Sequence, residues 1–274
     1  MTDFELGHIG IWRRSRIQPG LAAEIERLGY GALWLGGSPA ADLAEPEELL
    51  DATSTITIAT SIVNIWKSPA EQVAQSYHRL AAKYPGRFLL GIGAGHPEAD
   101  QSFAKPYEAL ENYLDVLAAH DVPSDRTLLA ALGPRVLRLA AQRTAGSIPY
   151  LVTPQHTRQA RELVGAGTLV IPEQKVLLDP DPARGRELAR PGIRTYLGMR
   201  NYTGNLRRLG FTDEDFEQGG SDRLVDALAV HGDAAALATV VNAHLKAGAD
   251  HVAVQVLGAD PVPGYRALAQ EFGL

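Results

Sequence analysis

The run SPAEQVAQSYHRLAAKYPGRFLLGIGAGHPE, Ser68 to Glu98, holds a helix, a stop, a buried strand and a glycine-rich turn in direct succession. Val73, Tyr77, Leu80 and Tyr84 fall at i, i+4, i+7 and i+11, one apolar stripe along a helix. Ser68 can cap that helix, Pro69 suits its first position, and Pro85-Gly86 stops it. Phe88–Ile92 is then continuously apolar, as a parallel strand covered on both faces should be. A helix feeding such a strand is half of a β/α repeat.

Working outward, similar short runs occur at Leu6–Trp12, Ala32–Leu35, Ile56–Val63, Thr127–Ala131, Ile148–Val152, Leu169–Leu178 and His251–Leu257, eight strands with Phe88–Ile92. Helices between them open on Pro134 and Pro154, and Asp233 caps a helix that ends near Gly248. This alternation predicts an α/β chain folded as a (β/α)8 TIM barrel, with an open doubly wound sheet as the alternative. Residues 179–232 show several short helical segments and no convincing strand. They read as an insertion or lid between strands seven and eight of a single domain spanning 1–274.

Composition narrows the function classes. Apolar residues make up 45% and charged residues 21%, enough for a large core. A net charge of −6 without a long basic block argues against a nucleic-acid partner. With no cysteine there is no thiolate nucleophile, disulfide framework or Cys-ligated metal. No HExxH or comparable spacing suggests a metal site, and no GxSxG elbow suggests acyl transfer. MTDFELGHIGIW lacks the pattern of a signal peptide, and no apolar stretch approaches the ~18 residues of a membrane span. A soluble, cytoplasmic protein is expected, with no membrane partner.

In a barrel the chemistry belongs at the C-terminal ends of the strands. The segments there are WRRSR, GGSPAAD, NIWKS, GAGHPE, LGP and TPQH. Glycines and proline-opened helices recur in them, and both present backbone N–H groups to an anion. GAGH is also compatible with a plain strand-to-helix turn carrying a surface histidine. GxGxG is not the dinucleotide pattern GxGxxG, so a nicotinamide-binding half is a poor fit.

The blocks ITIATSIVNIWKSPAEQVAQSYHRLAAKYPGRFLLGIGAGHPE, LLAALGPRVLRLAAQRTAG and IPYLVTPQHT resemble the bacterial luciferase-like superfamily. Within it they look most like the actinobacterial type of oxidoreductase that uses the deazaflavin coenzyme F420. HGDAAALATVVNAHLKAGADHVAVQVL is similar to the family's last helix and strand, and the likeness is weakest from Asp179 to Arg223. The resemblance implies an F420-dependent oxidoreductase acting on a small molecule, in a homodimer. FMN is the alternative cofactor, for a luciferase-like monooxygenase, and a non-catalytic flavin- or F420-binding protein is a further alternative.

The resemblance also implies site residues. Gly93, Ala94, Gly95 and His96 form the turn beside the cofactor, with His96 as the catalytic candidate, either proton donor or anion contact. A non-prolyl cis peptide is implied between Ser61 and Ile62, and Ser61 and Asn64 could bond the cofactor or nearby backbone. Ala131, Leu132, Gly133 and Pro134 make a second backbone cradle in which Gly133 permits the turn, and Thr153 is a helix cap or a phosphate ligand. Trp12, Arg13 and Trp66 are substrate candidates, while Trp34 suits the barrel core equally. Arg13, Arg14 and Arg16 could meet an acidic substrate or the polyglutamate tail of F420, or simply form a solvated rim. One departure stands out. Related F420 enzymes carry a histidine after strand two and a glutamate after the strand-four glycines, where this chain has GGSPAAD and His96.

Overall fold

A computed structural model describes residues 6–14, 16–96 and 105–274. Pro97 and Glu98 of the GAGHPE turn lie outside the described residues.

The first half alternates as the periodicity predicts: β1 (Ile9–Arg13), α1 (Pro19–Arg27), β2 (Ala32–Leu35), α2 (Ala44–Asp51), β3 (Thr57–Thr60), β4 (Val63–Asn64), α3 (Ala70–Lys83) and β5 (Phe88–Gly93). The predicted stripe of α3 is its buried face, with Val73 and Leu80 fully covered. Next come α4 (Pro106–Ala119), β6 (Thr127–Leu129), α5 (Pro134–Arg143), β7 (Gly146–Ser147), α6 (Pro154–Val164), β8 (Leu169–Val170) and β9 (Glu173–Leu178). An excursion follows with α7 (Pro182–Ala189), α8 (Pro191–Arg194), α9 (Arg200–Arg208), α10 (Asp222–Leu228) and β10 (Ala229–Gly232). The chain finishes with α11 (Ala234–Lys246), β11 (Val252–Val256) and α12 (Val262–Phe272). Asp233 caps α11 as predicted, its Oδ1 accepting from Ala236 N at 2.9 Å.

All the strand pairs are parallel, and the order β11-β1-β2-β3-β5-β6-β7-β8 follows the chain around a curled sheet. Only Ile171 and Pro172 separate β8 from β9, yet β8 pairs with β7 and β9 pairs with β11. That one predicted strand, 169–178, therefore closes the ring into a (β/α)8 barrel. Ala32, Trp34, Ala59, Leu89, Leu128 and Ala253 fill its interior. A larger apolar layer joins the outer strand faces to the helices, and the excursion has its own cluster around Tyr202, Leu206, Leu224 and Val225.

Two expectations are corrected. Strand six, read at Ile148–Val152, pairs at Gly146–Ser147 instead. Ile148 N still donates to Leu129 O, but Pro149 has no N–H to extend the ladder and Leu151 turns to a φ of 57°. The excursion does contain a strand: β10 adds to β9 in parallel, from Ala229 opposite Lys175 to Gly232 opposite Leu178. Its AVHG sequence is too short and too polar to stand out by alternation.

Candidate functional site

At the mouth, β3 breaks before β4, and the Ser61–Ile62 peptide is cis, as the resemblance implied. Ile62 comes to rest over β5. A Cβ on Gly93 would lie 2.8 Å from Ala130 Cβ and 3.1 Å from Ile62 Cγ1. Gly95 has φ +62°, and a Cβ there would meet Asn64 Nδ2 at 2.9 Å. The glycines of GIGAG are thus required by the chain's own packing at this break. Ser61, Ile62, Ala94, Gly95 and His96 are left half-buried along one side of the mouth.

His96 is gripped from the excursion. Asn201 Nδ2 lies 3.0 Å from its Nδ1, and the Tyr202 hydroxyl 3.3 Å from its Nε2, both on α9. The His96 and Tyr202 rings are 4.9 Å apart. Tyr202 also packs on Tyr196 at 5.2 Å, and Tyr196 bonds Tyr150 through their hydroxyls at 2.8 Å. Beneath this aromatic group Lys175 is fully buried, its Nζ 2.9 and 3.0 Å from the Glu173 carboxylate and 3.9 Å from the Tyr150 ring centre. Burial pushes the Glu173 pKa up and the Lys175 pKa down, and their mutual attraction opposes both shifts. Glu173 also accepts from the Leu151 N–H at 3.2 Å, which ties the turn after Tyr150 to the barrel floor.

The other predicted residues divide. Trp12 Nε1 donates to Ser61 Oγ at 3.0 Å, and its ring lies 5.1 Å from that of Tyr150, so Trp12 and Ser61 join the cluster. Arg13 Nη1 donates to the Tyr265 hydroxyl at 3.0 Å. Arg14 is exposed, while Arg16 turns away to pair with Glu48 at 2.6 Å. Asn64 Oδ1 accepts from Trp66 N at 2.9 Å, the backbone alternative for that side chain. Trp66 donates to Ala94 O at 2.7 Å and faces a groove between α3 and α4 lined by Ala70, Ala109, Tyr113 and Val116. Trp34 belongs to the barrel interior.

The helix starts at α5 and α6 form a second feature. Gly133 has φ −88° and ψ 157°, ordinary extended backbone, so its expected role in permitting the turn is not required. A Cβ there would meet nothing within 4 Å, which leaves open space before the α5 N-terminus. Leu132 O accepts from His156 Nε2 at 2.9 Å, linking the starts of the two helices. Thr153 makes no capping bond, and its Oγ1 is buried without a partner. A buried hydroxyl with no partner is costly.

Sequence reasoning missed Tyr150, Tyr196, Asn201, Tyr202 and the Glu173–Lys175 pair. For the pair a signal existed: two charges at i and i+2 interrupt an apolar strand, IPEQKVLL. Among the described residues no group of three or more His, Asp or Glu side chains could hold a metal ion, and no helix is long and apolar enough to cross a membrane.

Comparison with known proteins fits this architecture. Residues 15–120 match the model of the luciferase-like monooxygenase family. No curated protein matches the sequence. Among solved structures, the coenzyme F420-dependent tetrahydromethanopterin reductase of Methanopyrus kandleri has a TM-score of 0.78 at 16% identity, covering 97% of this chain and 98% of its own. An F420-dependent secondary alcohol dehydrogenase, solved with an F420–acetone adduct, has a TM-score of 0.76 at 14% identity, covering 96% and 97%. The FMN-bound oxygenating constituent of 3,6-diketocamphane monooxygenase from Pseudomonas putida has a TM-score of 0.67 at 15% identity, covering 96% of each chain. The chain thus shares the barrel fold of these proteins, and its residues 15–120 match the model of the luciferase-like monooxygenase family.

Proposed function

We propose that the protein is an F420-dependent oxidoreductase acting on a small molecule. The observation that carries this reading is the unpartnered hydroxyl of Thr153 beside the open α5 start at Gly133. Together they suit a cofactor phosphate, since helix N-termini favour anions and a buried hydroxyl needs a partner. The half-buried surface of Ile62, Ala94 and Gly95 suits a planar ring. F420-dependent proteins stand among the fold's structural neighbours, at TM-scores of 0.76 and 0.78.

In this reading Gly133, Pro134 and Thr153 hold the phosphate, with Ala131 and Leu132 behind them. Ser61, Ile62, Asn64 and Gly93–His96 back the ring. F420, when bound, supplies hydride transfer, and the protein supplies position and electrostatics. His96, steadied by Asn201 and Tyr202, holds or delivers a proton at the ring's edge. The loop after β2 holds no histidine, so the histidine–glutamate pair of related F420 enzymes is not reproduced.

Parallel fluorescence titrations with F420 and FMN at matched ionic strength test the reading. Saturable binding of F420 in preference to FMN supports it. Preference for FMN transfers the site to a luciferase-like monooxygenase, a reading the family match favours. Binding of neither removes the cofactor assignment.

A further inference from the structure

A cavity of about 290 Å³ opens at the mouth between β1 and β11, separate from the two helix starts. Small-molecule sites usually span ~300–1,000 Å³, so its occupant is small. Trp12, Val256, Leu257 and Pro261 give it apolar walls, and its polar side chains are Arg13, Arg14 and Gln255.

Those polar groups offer donors. Guanidinium groups cannot accept. Gln255 has its Oε1 engaged by the Tyr150 hydroxyl at 3.2 Å, leaving the NH₂ end of the amide. Tyr150 donates to Gln255, so in its 2.8 Å contact with Tyr196 it accepts. Burial pushes the Tyr196 pKa up, while its bond with Tyr150 and the nearby Arg14 charge pull it down. Tyr196, Tyr150 and Gln255 thus form a chain in which each hydroxyl donates to the next group, with Arg14 beside its start.

Other charged groups stand close to the cavity. Lys175 stands opposite Gln255 in register and pairs with Glu173. Asp260, just before the cavity residue Pro261, is exposed and accepts from Val262 N at 3.1 Å.

We infer that this cavity binds the carboxylate of a small organic acid with an apolar body, held by Arg13, Arg14 and Gln255 against Trp12. Under the function proposed above, which this inference deepens and rests on, that acid is the enzyme's substrate. The carboxylates of the F420 tail share the chemistry and are the competing source.

Benzoate and benzamide separate charge from shape, and calorimetric titration of the whole protein reads both without turnover. Benzoate is expected to bind saturably, at least about tenfold more tightly than benzamide, the margin of one charged hydrogen bond. Arg14→Gln should erase about tenfold of that preference with the folded spectrum unchanged, since the side chain is exposed. Equal affinity for the two probes, or benzoate binding indifferent to Arg14→Gln, overturns the inference. With F420 present at saturation, undiminished benzoate binding supports a substrate pocket. One-for-one competition overturns that assignment in favour of the F420 tail. Benzoate binding in a protein that binds no F420 retains the anion cavity and sinks the cofactor reading. F420 binding without benzoate binding sinks the cavity alone.

Discussion

The Trp12 indole stands where a side chain at position 36 would begin: a Cβ on Gly36 would fall 2.3 Å from Trp12 Cζ2 and 2.6 Å from Cη2. This contact explains the first glycine of the pair that opens the loop after β2; the second, Gly37, has φ +81° and a Cβ there would meet Arg14 O at 2.7 Å. A histidine cannot occupy position 36 while Trp12 lies across the mouth and bonds Ser61. The glycine at 36 is therefore a packing consequence of the large residue on β1.

Gly36→Ala is expected to destabilise the fold by about 1–3 kcal/mol, the usual cost of overpacking. Trp12→Ala should cost about 3–5 kcal/mol by itself. In the Trp12→Ala background the added methyl at position 36 finds room, so its cost should fall to near zero. Urea unfolding of the four proteins gives the coupling energy. Strict additivity would place the indole elsewhere in solution.

His96 and α9 provide a second test. If Asn201 Nδ2 donates to His96 Nδ1, the neutral ring carries its proton on Nε2, directed at Tyr202. Nitrogen chemical shifts of the imidazole should report that tautomer. Asn201→Asp replaces the donor with a carboxylate acceptor and should move the proton to Nδ1, favouring the charged ring. Unchanged shifts in that variant would mean that α9 does not hold the histidine. In turnover with any substrate found by a hydride-transfer screen, His96→Ala should lower kcat by about 10²–10⁴ if the ring moves a proton, with F420 affinity little altered. Loss of affinity alone would leave it an anion contact.

The barrel was legible because its signals are local. Proline at helix starts, the stripe of α3 and the unbroken apolar strands each follow from a few neighbouring residues. β10 and the shift of strand six were not, because they depend on partners far along the chain and on the absent N–H of Pro149. The site divides the same way. The GIGAG turn could be located, but its glycines answer to Ile62, Ala130 and Asn64, contacts that spacing does not encode. Tyr196 and Tyr202 reach the mouth only because the excursion folds back over it, and nothing in their local sequence marks them.

Two buried histidines set an acid limit on stability. His251 Nε2 accepts from Trp34 Nε1 at 3.0 Å, and its Nδ1 donates to Gly7 O at 3.1 Å, a pattern that needs the neutral ring. His244 lies between Thr157 at 2.8 Å and Gln174 at 2.9 Å. Burial pushes their pKa values down from 6.5, to about 4 for His251 and about 3 for His244. The unfolded chain therefore binds more protons below 6.5. Their stabilisation is complete above that pH and is lost as pH falls toward 4, by up to about 1.4 kcal/mol per pH unit for each ring. Glu173, whose pKa burial raises, works in the opposite direction above its ordinary value and reduces the net slope. Urea unfolding at several pH values between 4 and 7 should show stability falling with acid, and His244→Gln should flatten the fall. Identical slopes in variant and wild type would mean that His244 titrates alike in both states.

Thr153 and Gly133 allow stability and binding to be moved in opposite directions. The Thr153 hydroxyl is buried and unpartnered, so Thr153→Val should stabilise the protein, by up to about 1 kcal/mol. Gly133→Asp places a carboxylate in open space at the α5 N-cap, on backbone that an L-residue adopts freely, and should add a few tenths of a kcal/mol. If the two positions hold the cofactor phosphate, both gains carry a loss. Thr153→Val removes a phosphate ligand, and Gly133→Asp sets like charge against it, so F420 affinity should drop by about tenfold or more in each. Thermal unfolding and F420 titration of the same samples give both numbers. Greater stability with undiminished affinity would make these residues ordinary helix starts and return the cofactor's phosphate to another part of the mouth.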